Sequence, residues 1–453
     1  MVKLRNIRKM IDFKFYKLIL VIAIPVMTQN FITSFAQVID NLMVSSLGEQ
    51  AIGAVGAANS IFFVVMLLMF GVSESIGIFI AQYVGAKEDD KQKQVFVIGF
   101  VSIMFVVTIA TIIINTFSSQ IIGFYTDDPV VQELCASYLQ IATISYYFIA
   151  INVLIGAGFR SIGKPKYAMY CGVSAIFINT FMNYMFLNGI LFFPQLGIEG
   201  LAIATVISRI VEFILLMFIM YKIHVPFFPT KKTFGQIKKS LIIQVYKKGI
   251  PLTINEFMWG LGMALLLGFY GANSTQDLVA VNIAYTIGNL FFVLMGGFAV
   301  AISVVVGQRL GAGKLYGAKY IAIKIYILAV IVGFITTFVF ILVAPLFTSI
   351  YNISQETADL AISIMRIMAI FFPVYIVTAS FFFTLRSGGD TLSVLILDMG
   401  SMILLTIPLA FYLANYTELS VVIRYGIIQC IDLLKFLLGA YLISKGNWIR
   451  KLT

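Results

Sequence analysis

The stretch GIPLTINEFMWGLGMALLLGFYG, Gly249–Gly271, is apolar enough to lie in a bilayer except at Glu256. A membrane-spanning α-helix needs about 20 such residues. A carboxylate near the middle of one costs about 2.5 to 3.5 kcal/mol on insertion scales, so a partner, a proton, a bound cation or water has to offset it. The Ile-Pro step that opens the stretch, Ile250-Pro251, also occurs 226 positions earlier as Ile24-Pro25. A charged span and its earlier counterpart are the two features from which the rest of the chain can be read.

Of the 453 residues, 60% are hydrophobic and 11% charged, with a mean hydropathy of +1.00. No soluble domain of this length could bury that balance. Apolar stretches recur at about 16–46, 51–81, 94–116, 131–157, 167–190, 199–221, 247–270, 278–307, 320–348, 358–383, 391–413 and 420–443, long enough to cross a membrane as helices. The prediction is an all-α membrane protein with twelve transmembrane helices. The bilayer is its first partner.

A net charge of +11 would suggest nucleic acid in a soluble protein, but here the charges mark orientation. Counted from an inside N-terminus, all Lys and Arg except Arg209, Arg366, Arg424 and Lys435 lie in or beside the inner segments, and the six outer loops carry none. Those outer loops hold acids instead, among them Glu49, Asp127, Asp128, Glu199, Asp277, Glu356 and Glu418. The positive-inside rule then places both termini in the cytoplasm of a multi-pass protein of the plasma membrane, with no nucleic-acid partner. The basic N-terminus lacks a small-residue cleavage site and is expected to stay attached. Cys135, Cys171 and Cys430 are scattered without a CxxC pair, so neither a disulfide nor a metal site is indicated. His224, the only histidine, falls at the inner end of the sixth span as an interfacial residue.

Shifting the chain by 226 positions superimposes one half on the other without a gap across most of its length. Ala54-Val55 falls on Ala280-Val281, Gly71 on Gly297, QYVGA (Gln82–Ala86) on QRLGA (Gln308–Ala312), Tyr125 on Tyr351, and RSIG (Arg160–Gly163) on RSGG (Arg386–Gly389). One offset kept over about 140 positions marks a duplicated unit. Six spans is an even number, so both copies enter the membrane from the same side, and a pseudo-two-fold axis along the membrane normal relates them. The expected organisation is an N-terminal six-helix lobe at 1–221, a basic inter-lobe linker at 222–246 containing KIHVPFFPTKKTFGQIKKS, and a C-terminal six-helix lobe at 247–453. Two such bundles with a polar cavity near the midplane are the layout of an alternating-access transporter. No catalytic constellation is visible, so an enzyme is not expected. GFRSIGKP (Gly158–Pro165) has the spacing of a phosphate loop, yet Pro165 replaces the metal-binding hydroxyl and no strand precedes it. No cofactor is expected, and an ion gradient is the natural energy source.

Ten charged residues within the spans are singled out: Asp40, Glu74, Arg209, Glu212, Glu256, Arg366, Asp398, Arg424, Asp432 and Lys435. Arg209 with Glu212, and Asp432 with Lys435, stand three apart on one helical face and can neutralise one another. Arg366 and Arg424 lie near outer helix ends, where long side chains snorkel to the headgroups. Asp40, Glu74, Glu256 and Asp398 are left without a partner on their own helix. For Glu74 and Asp398 an interhelical hydrogen bond is as good an account as a functional role. Around Asp40, FINTFMNYMF places Asn179 and Asn183 four apart on one face, and Thr205 follows in EGLAIATVIS. A carboxylate, two amides, a hydroxyl and a backbone carbonyl suit a monovalent cation such as Na⁺, and the carboxylate alone suits a proton. Beyond such a Na⁺ at Asp40, no metal ion is expected. The same asparagines would equally serve to join helices. Pro25 and Pro251 remove a helical hydrogen bond at matching places, giving either a static kink or a point of bending.

The stretches VIDNLMVSSLG, QYVGA and QRLGAG, RSIGKP and RSGGDT, and LGIEGLAIATVIS together resemble the multidrug and toxic compound extrusion (MATE) family of the wider flippase superfamily, over essentially the full chain. The resemblance implies a secondary antiporter that exports lipophilic, cationic small organic compounds in exchange for Na⁺ or H⁺. It makes Asp40 the coupling carboxylate and Asn179, Asn183 and Thr205 its companions, with a backbone carbonyl near Leu201. Glu256 matches the seventh-helix glutamate of NorM-type members and is expected to face a central cavity as a carboxylate for substrate or proton. Two departures accompany the match: Asn183 stands where DinF-type members carry a second aspartate, and FFPVYIVTASFFF offers only Tyr375 near the tenth-helix aspartate of NorM-type members. A monomer is expected. The alternative within the superfamily is a flippase for a lipid-linked or polysaccharide precursor, which would need a basic cavity to hold phosphates.

Overall fold

A computed structural model describes residues 13–190, 193–272, 274–349, 351 and 353–452. The basic residues Lys3, Arg5, Arg8 and Lys9 lie outside the described residues. Twelve helices are long and apolar enough to cross a membrane, and no strand occurs among the described residues. They are α1 (Phe13–Ser45), α2 (Glu49–Ala86), α3 (Asp89–Thr116), α4 (Pro129–Ser161), α5 (Pro165–Asn188) and α6 (Gly197–Lys222). The second half contributes α7 (Lys239–Tyr270), α8 (Thr275–Gly311), α9 (Leu315–Thr348), α10 (Gln355–Ser387) and α12 (Val421–Lys445), with α11 spanning Thr391–Tyr416. Large apolar side chains on these helices, such as Phe105, Phe338 and Leu404, are exposed, as expected of surfaces that meet lipid rather than water.

The helix ends follow from local chemistry. Asp128 caps α4 by accepting from the Val130 N–H at 2.9 Å, with Pro129 in the first turn where its missing N–H costs nothing. Ser274 and Ser354 cap α8 and α10 in the same way. Just after the C-terminal ends of α4 and α10, the repeat mates Gly163 and Gly389 take the left-handed conformation, at φ +73° and +66°. After α2 and α8 the corresponding mates are Lys87 and Gly313, at φ +60° and +71°. Lys87 therefore adopts a backbone conformation that its mate adopts as glycine. α11 departs from α-geometry, with two π-helical stretches at Ile396–Gly400 and Met402–Thr406. Such widened turns are uncommon and often sit at functional places.

The chain forms two compact units. One, the N-terminal unit, comprises Thr28–Val84 and Glu88–Thr253; the other, the C-terminal unit, comprises Met1–Met27, Gly85–Lys87 and Ile254–Thr453. The halves drawn from the sequence assign all of α1 to one lobe and all of α7 to the other, whereas the compact units divide both helices. The divisions fall at Met27/Thr28 and Thr253/Ile254, each two residues past a proline, Pro25 or Pro251, and each pair of positions is related by the repeat.

In the N-terminal unit, Phe227 of the segment after α6 is fully buried between Phe96 and Phe159. It lies so close to Gly158 that a Cβ there would come within 2.7 Å of its ring. The C-terminal unit has a core built on Tyr270, Ala284, Met365, Met368 and Tyr425, with the Phe291 and Phe340 rings stacked at 4.1 Å. Here the segment after α12 folds back, burying Trp448, and Arg450 donates to the carbonyls of Gly388 and Gly389 at 3.1 and 2.6 Å.

Candidate ion-coupling site

Asp40 of α1, Asn179 and Asn183 of α5, and Thr205 of α6 line one cavity of about 450 Å³ within the N-terminal unit. Asn183 donates Nδ2–H to Asp40 Oδ1 at 3.1 Å and to Asn179 Oδ1 at 3.4 Å. Asn179 donates in turn to the Thr205 hydroxyl at 3.4 Å, and Thr205 donates to the Leu201 carbonyl at 3.0 Å. The sequence candidates thus form one hydrogen-bonded chain from a carboxylate to a backbone oxygen. Two of these four contacts, at 3.4 Å, are long for hydrogen bonds. Asn183 is only 4% exposed, and its Oδ1 is a buried acceptor with no donor. A cation or a protonated group would satisfy it.

Among the cavity residues that sequence reasoning did not assign to the site, two stand out. Tyr138 of α4 lies within hydrogen-bonding reach of Thr205, and Arg209 lines the wall beside Asp40. Arg209 pairs with Glu212 at 2.9 Å, as its spacing predicted. Asn152 of α4 reinforces that pair, donating to Glu212 Oε2 and to the Arg209 carbonyl, both at 3.1 Å. Nothing in the spacing of Tyr138 or Asn152 announces these contacts, which are made between helices.

The other buried charges divide sharply. Glu74 accepts from Arg160 at 2.6 Å and Glu256 from Arg386 at 2.7 Å. The sequence left both acids without a partner on their own helix, and the structure supplies one from the end of α4 or α10. Arg160 and Arg386 are repeat mates, but Glu74 and Glu256 are not, so the duplication alone did not announce these two pairs. Asp432 and Lys435 pair at 3.6 Å as predicted. Arg424 requires a correction: instead of snorkelling it is buried, 2% exposed, and paired with Asp277 at 2.8 Å, because the start of α8 carries that carboxylate into reach. Arg366 is exposed. His224 has its backbone at φ +49° and its ring beside Tyr221. Of the six acids singled out within the spans, Asp40 and Asp398 make no ion pair among the described residues. Each is held by an asparagine amide, Asp398 by Asn255 at 2.9 Å.

A model of the MatE family matches residues 25–185 and again 251–412, once in each half of the repeat. The chain belongs to the MATE family. This MATE protein is 25% identical over 409 residues to the probable multidrug resistance protein YoeA of Bacillus subtilis, across 88% of this chain and 87% of that one. It is 22% identical over 406 residues to the probable multidrug resistance protein NorM of Thermotoga maritima, across 88% of this chain and 86% of the relative. Among solved structures it resembles an outward-facing multidrug resistance MATE transporter of the MOP superfamily, at a TM-score of 0.83 and 20% identity. It also resembles a MATE crystallised in the bent conformation, at a TM-score of 0.86 and 19% identity. Both alignments cover 95% of this chain and 96% of the other. The predicted fold class, twelve transmembrane helices in two bundles, is the MATE architecture, and the family read from the helix motifs is the one found.

Proposed function

We propose that this MATE protein is a secondary active antiporter that exports lipophilic cationic compounds in exchange for Na⁺ or H⁺ by alternating access. The reading is supported above all by Asp40, a carboxylate in a cavity large enough for a small organic molecule and free of any ion pair among the described residues. An inorganic cation or a proton arriving from outside neutralises Asp40, with Asn179, Asn183, Thr205 and the Leu201 carbonyl as supporting oxygens. Neutralised, Asp40 loses its attraction for a cationic substrate, which leaves. One group serving two ligands in turn makes each raise the free energy of binding the other, and that is the coupling an antiporter needs. Glu256 acts as a second carboxylate for substrate or proton, with the smaller share, because either ligand must compete with the Arg386 guanidinium 2.7 Å away. Pro25 and Pro251 supply the bending points, since each removes a backbone hydrogen bond close to where α1 or α7 changes compact unit. The protein works as a monomer in the plasma membrane with both termini inside, as a transporter rather than an enzyme.

The test is reconstitution in liposomes with an organic cation dye and separately imposed Na⁺ and pH gradients. Gradient-driven dye movement is expected, and the gradient that drives it names the coupling ion. Asp40→Asn is expected to lower that rate on the order of tenfold or more. An undiminished rate in Asp40→Asn removes the carboxylate from the mechanism, and movement of a phosphate-bearing lipid in place of dye would select a flippase.

A further inference from the structure

Asp398 is the second of the singled-out acids that makes no ion pair among the described residues, and it belongs to the C-terminal unit, whereas the cavity at Asp40 is lined by residues of the N-terminal unit. Its position depends on the π-helical turn Ile396–Gly400. The carbonyls that this turn frees are satisfied locally, since Ser401 donates to the carbonyls of Leu397 and Asp398 at 2.6 and 2.9 Å. One turn on, α7 comes so close to the π segment that a Cβ on Gly262 would stand 2.6 Å from Met402. Seven residues before Gly262, on the same face of α7, Asn255 is 1% exposed and donates Nδ2–H to Asp398 Oδ2. The other half of that amide, Asn255 Oδ1, is buried with no donor. A buried acceptor without a donor is unfavourable, and a donor arriving beside it would complete the amide.

The repeat shows why this carboxylate is left over. The mates of Asn255 and Asp398 are Gln29 and Gly172, and a Cβ on Gly172 would meet Gln29 Nε2 at 2.6 Å and Glu212 Oε1 at 3.4 Å. The N-terminal unit therefore also sets a carboxylate near the amide of its first-helix residue, from α6 rather than from the fifth helix of the unit. There Arg209 neutralises it. The mate of Arg209 is Lys435, which in the C-terminal unit is paired with Asp432 instead. The charged groups facing Asp398 are Lys435 and Asp432 of α12 and Arg386 of α10, the last already paired with Glu256. Both of these bases are thus already paired with another carboxylate, Arg386 with Glu256 and Lys435 with Asp432.

We propose that Asp398 is a second proton-binding site of this protein, with Asn255 as the amide that reads its protonation state. The proton comes from water on one side and returns to water on the other, and no other bond is made or broken. In the ionised form the carboxylate accepts Nδ2–H of Asn255. In the acid form the new O–H is a donor that Asn255 Oδ1 can accept, which completes the amide. A metal ion fits less well. Hard cations gather several oxygens, whereas here the turn carbonyls are taken by Ser401 and two bases lie within electrostatic reach.

The experiment is pH-difference infrared spectroscopy of the full-length protein in lipid, in an Asp40→Asn background, together with a count of protons taken up on acidification. It requires no transport, so its outcome is separate from that of the Asp40 reading. The carbonyl stretch of a protonated carboxylic acid is expected on acidification. Asp398→Asn should remove that band and about one titrating proton per chain. Asn255→Leu should keep the band but shift its frequency, because the hydrogen bond to the acid is gone. That second variant decides the matter if Asp398→Asn does not give a monodisperse protein. A band and proton count that survive Asp398→Asn, or a band that Asn255→Leu leaves unmoved, overturn the proposal. Loss of the band on adding Na⁺ at constant pH overturns it in favour of a metal cation.

Discussion

At the scale of single residues, the informative contrast is between Asp40 and Glu256. Both are acids in apolar helices, and both could be picked out from the sequence. Asp40 rests on amides that can give way to a ligand, while Glu256 is tied to a guanidinium that is 2% exposed. Arg386 already leaves Nε and Nη2 without partners, so removing the carboxylate would strand a buried charge. Breaking such a pair from one side costs about 3 to 5 kcal/mol, whereas replacing both partners by apolar groups is often neutral. Glu256→Gln is therefore expected to lower the apparent melting temperature in detergent sharply. The double variant Glu256→Gln with Arg386→Leu should recover most of it while leaving dye efflux below that of the parent. Full recovery of efflux in the double variant would assign Glu256 to structure alone. The site around Asp40 was legible because Asn179 and Asn183 stand four apart on one face. Tyr138, Asn152 and the two repeat-related arginines were not, because their contacts cross between helices.

At the scale of elements, the repeat is a built-in control. Lys87 and Gly313 occupy equivalent left-handed positions after α2 and α8. Lys87 is exposed, and the space around a Cβ at Gly313 is open, so conformation rather than packing sets the difference. A side chain in that region costs about 1 to 2 kcal/mol, part of which glycine returns through the greater freedom of its unfolded chain. Lys87→Gly should stabilise the protein by about 0.5 to 1 kcal/mol, and Gly313→Lys should destabilise it by a similar or larger amount. Melting temperatures that shift in the same direction for both would contradict the conformational account. The helices themselves were plain from hydropathy, with ends within a few residues of the caps. The π-helical turns of α11 were not, because nothing in ILDMGSMILLT differs in kind from an ordinary apolar helix. The widening records what α7 and Ser401 do nearby.

At the scale of the whole molecule, the distribution of Lys and Arg predicts orientation. Asp127 precedes α4 in a segment assigned outside, and Tyr316, 93% exposed, lies near the start of α9 in a segment assigned inside. In intact cells a membrane-impermeant thiol reagent should label Asp127→Cys at once and Tyr316→Cys only after permeabilisation. The reverse pattern would invert the topology and with it the direction of export. The same scale holds the division of α1 and α7 between compact units. The repeat alone implies two lobes of six consecutive spans, yet the stretches of α1 up to Met27 and of α7 up to Thr253 each belong to the other compact unit.

What the sequence by itself determined is what depends on composition, period and offset. Those are the membrane environment, the number of spans, the duplication, the family, and the acids whose cost in lipid demands an explanation. These are sums over many residues or properties of one helix, so they survive without coordinates. What only the tertiary structure decided is which of those acids are neutralised. Arg160 pairs with Glu74 and Arg386 with Glu256, whereas Asp40 and Asp398 are held by asparagine amides. That outcome rests on hydrogen bonds and ion pairs a few ångströms long between helices far apart in the chain, and no spacing along one helix encodes where a neighbouring helix will stand.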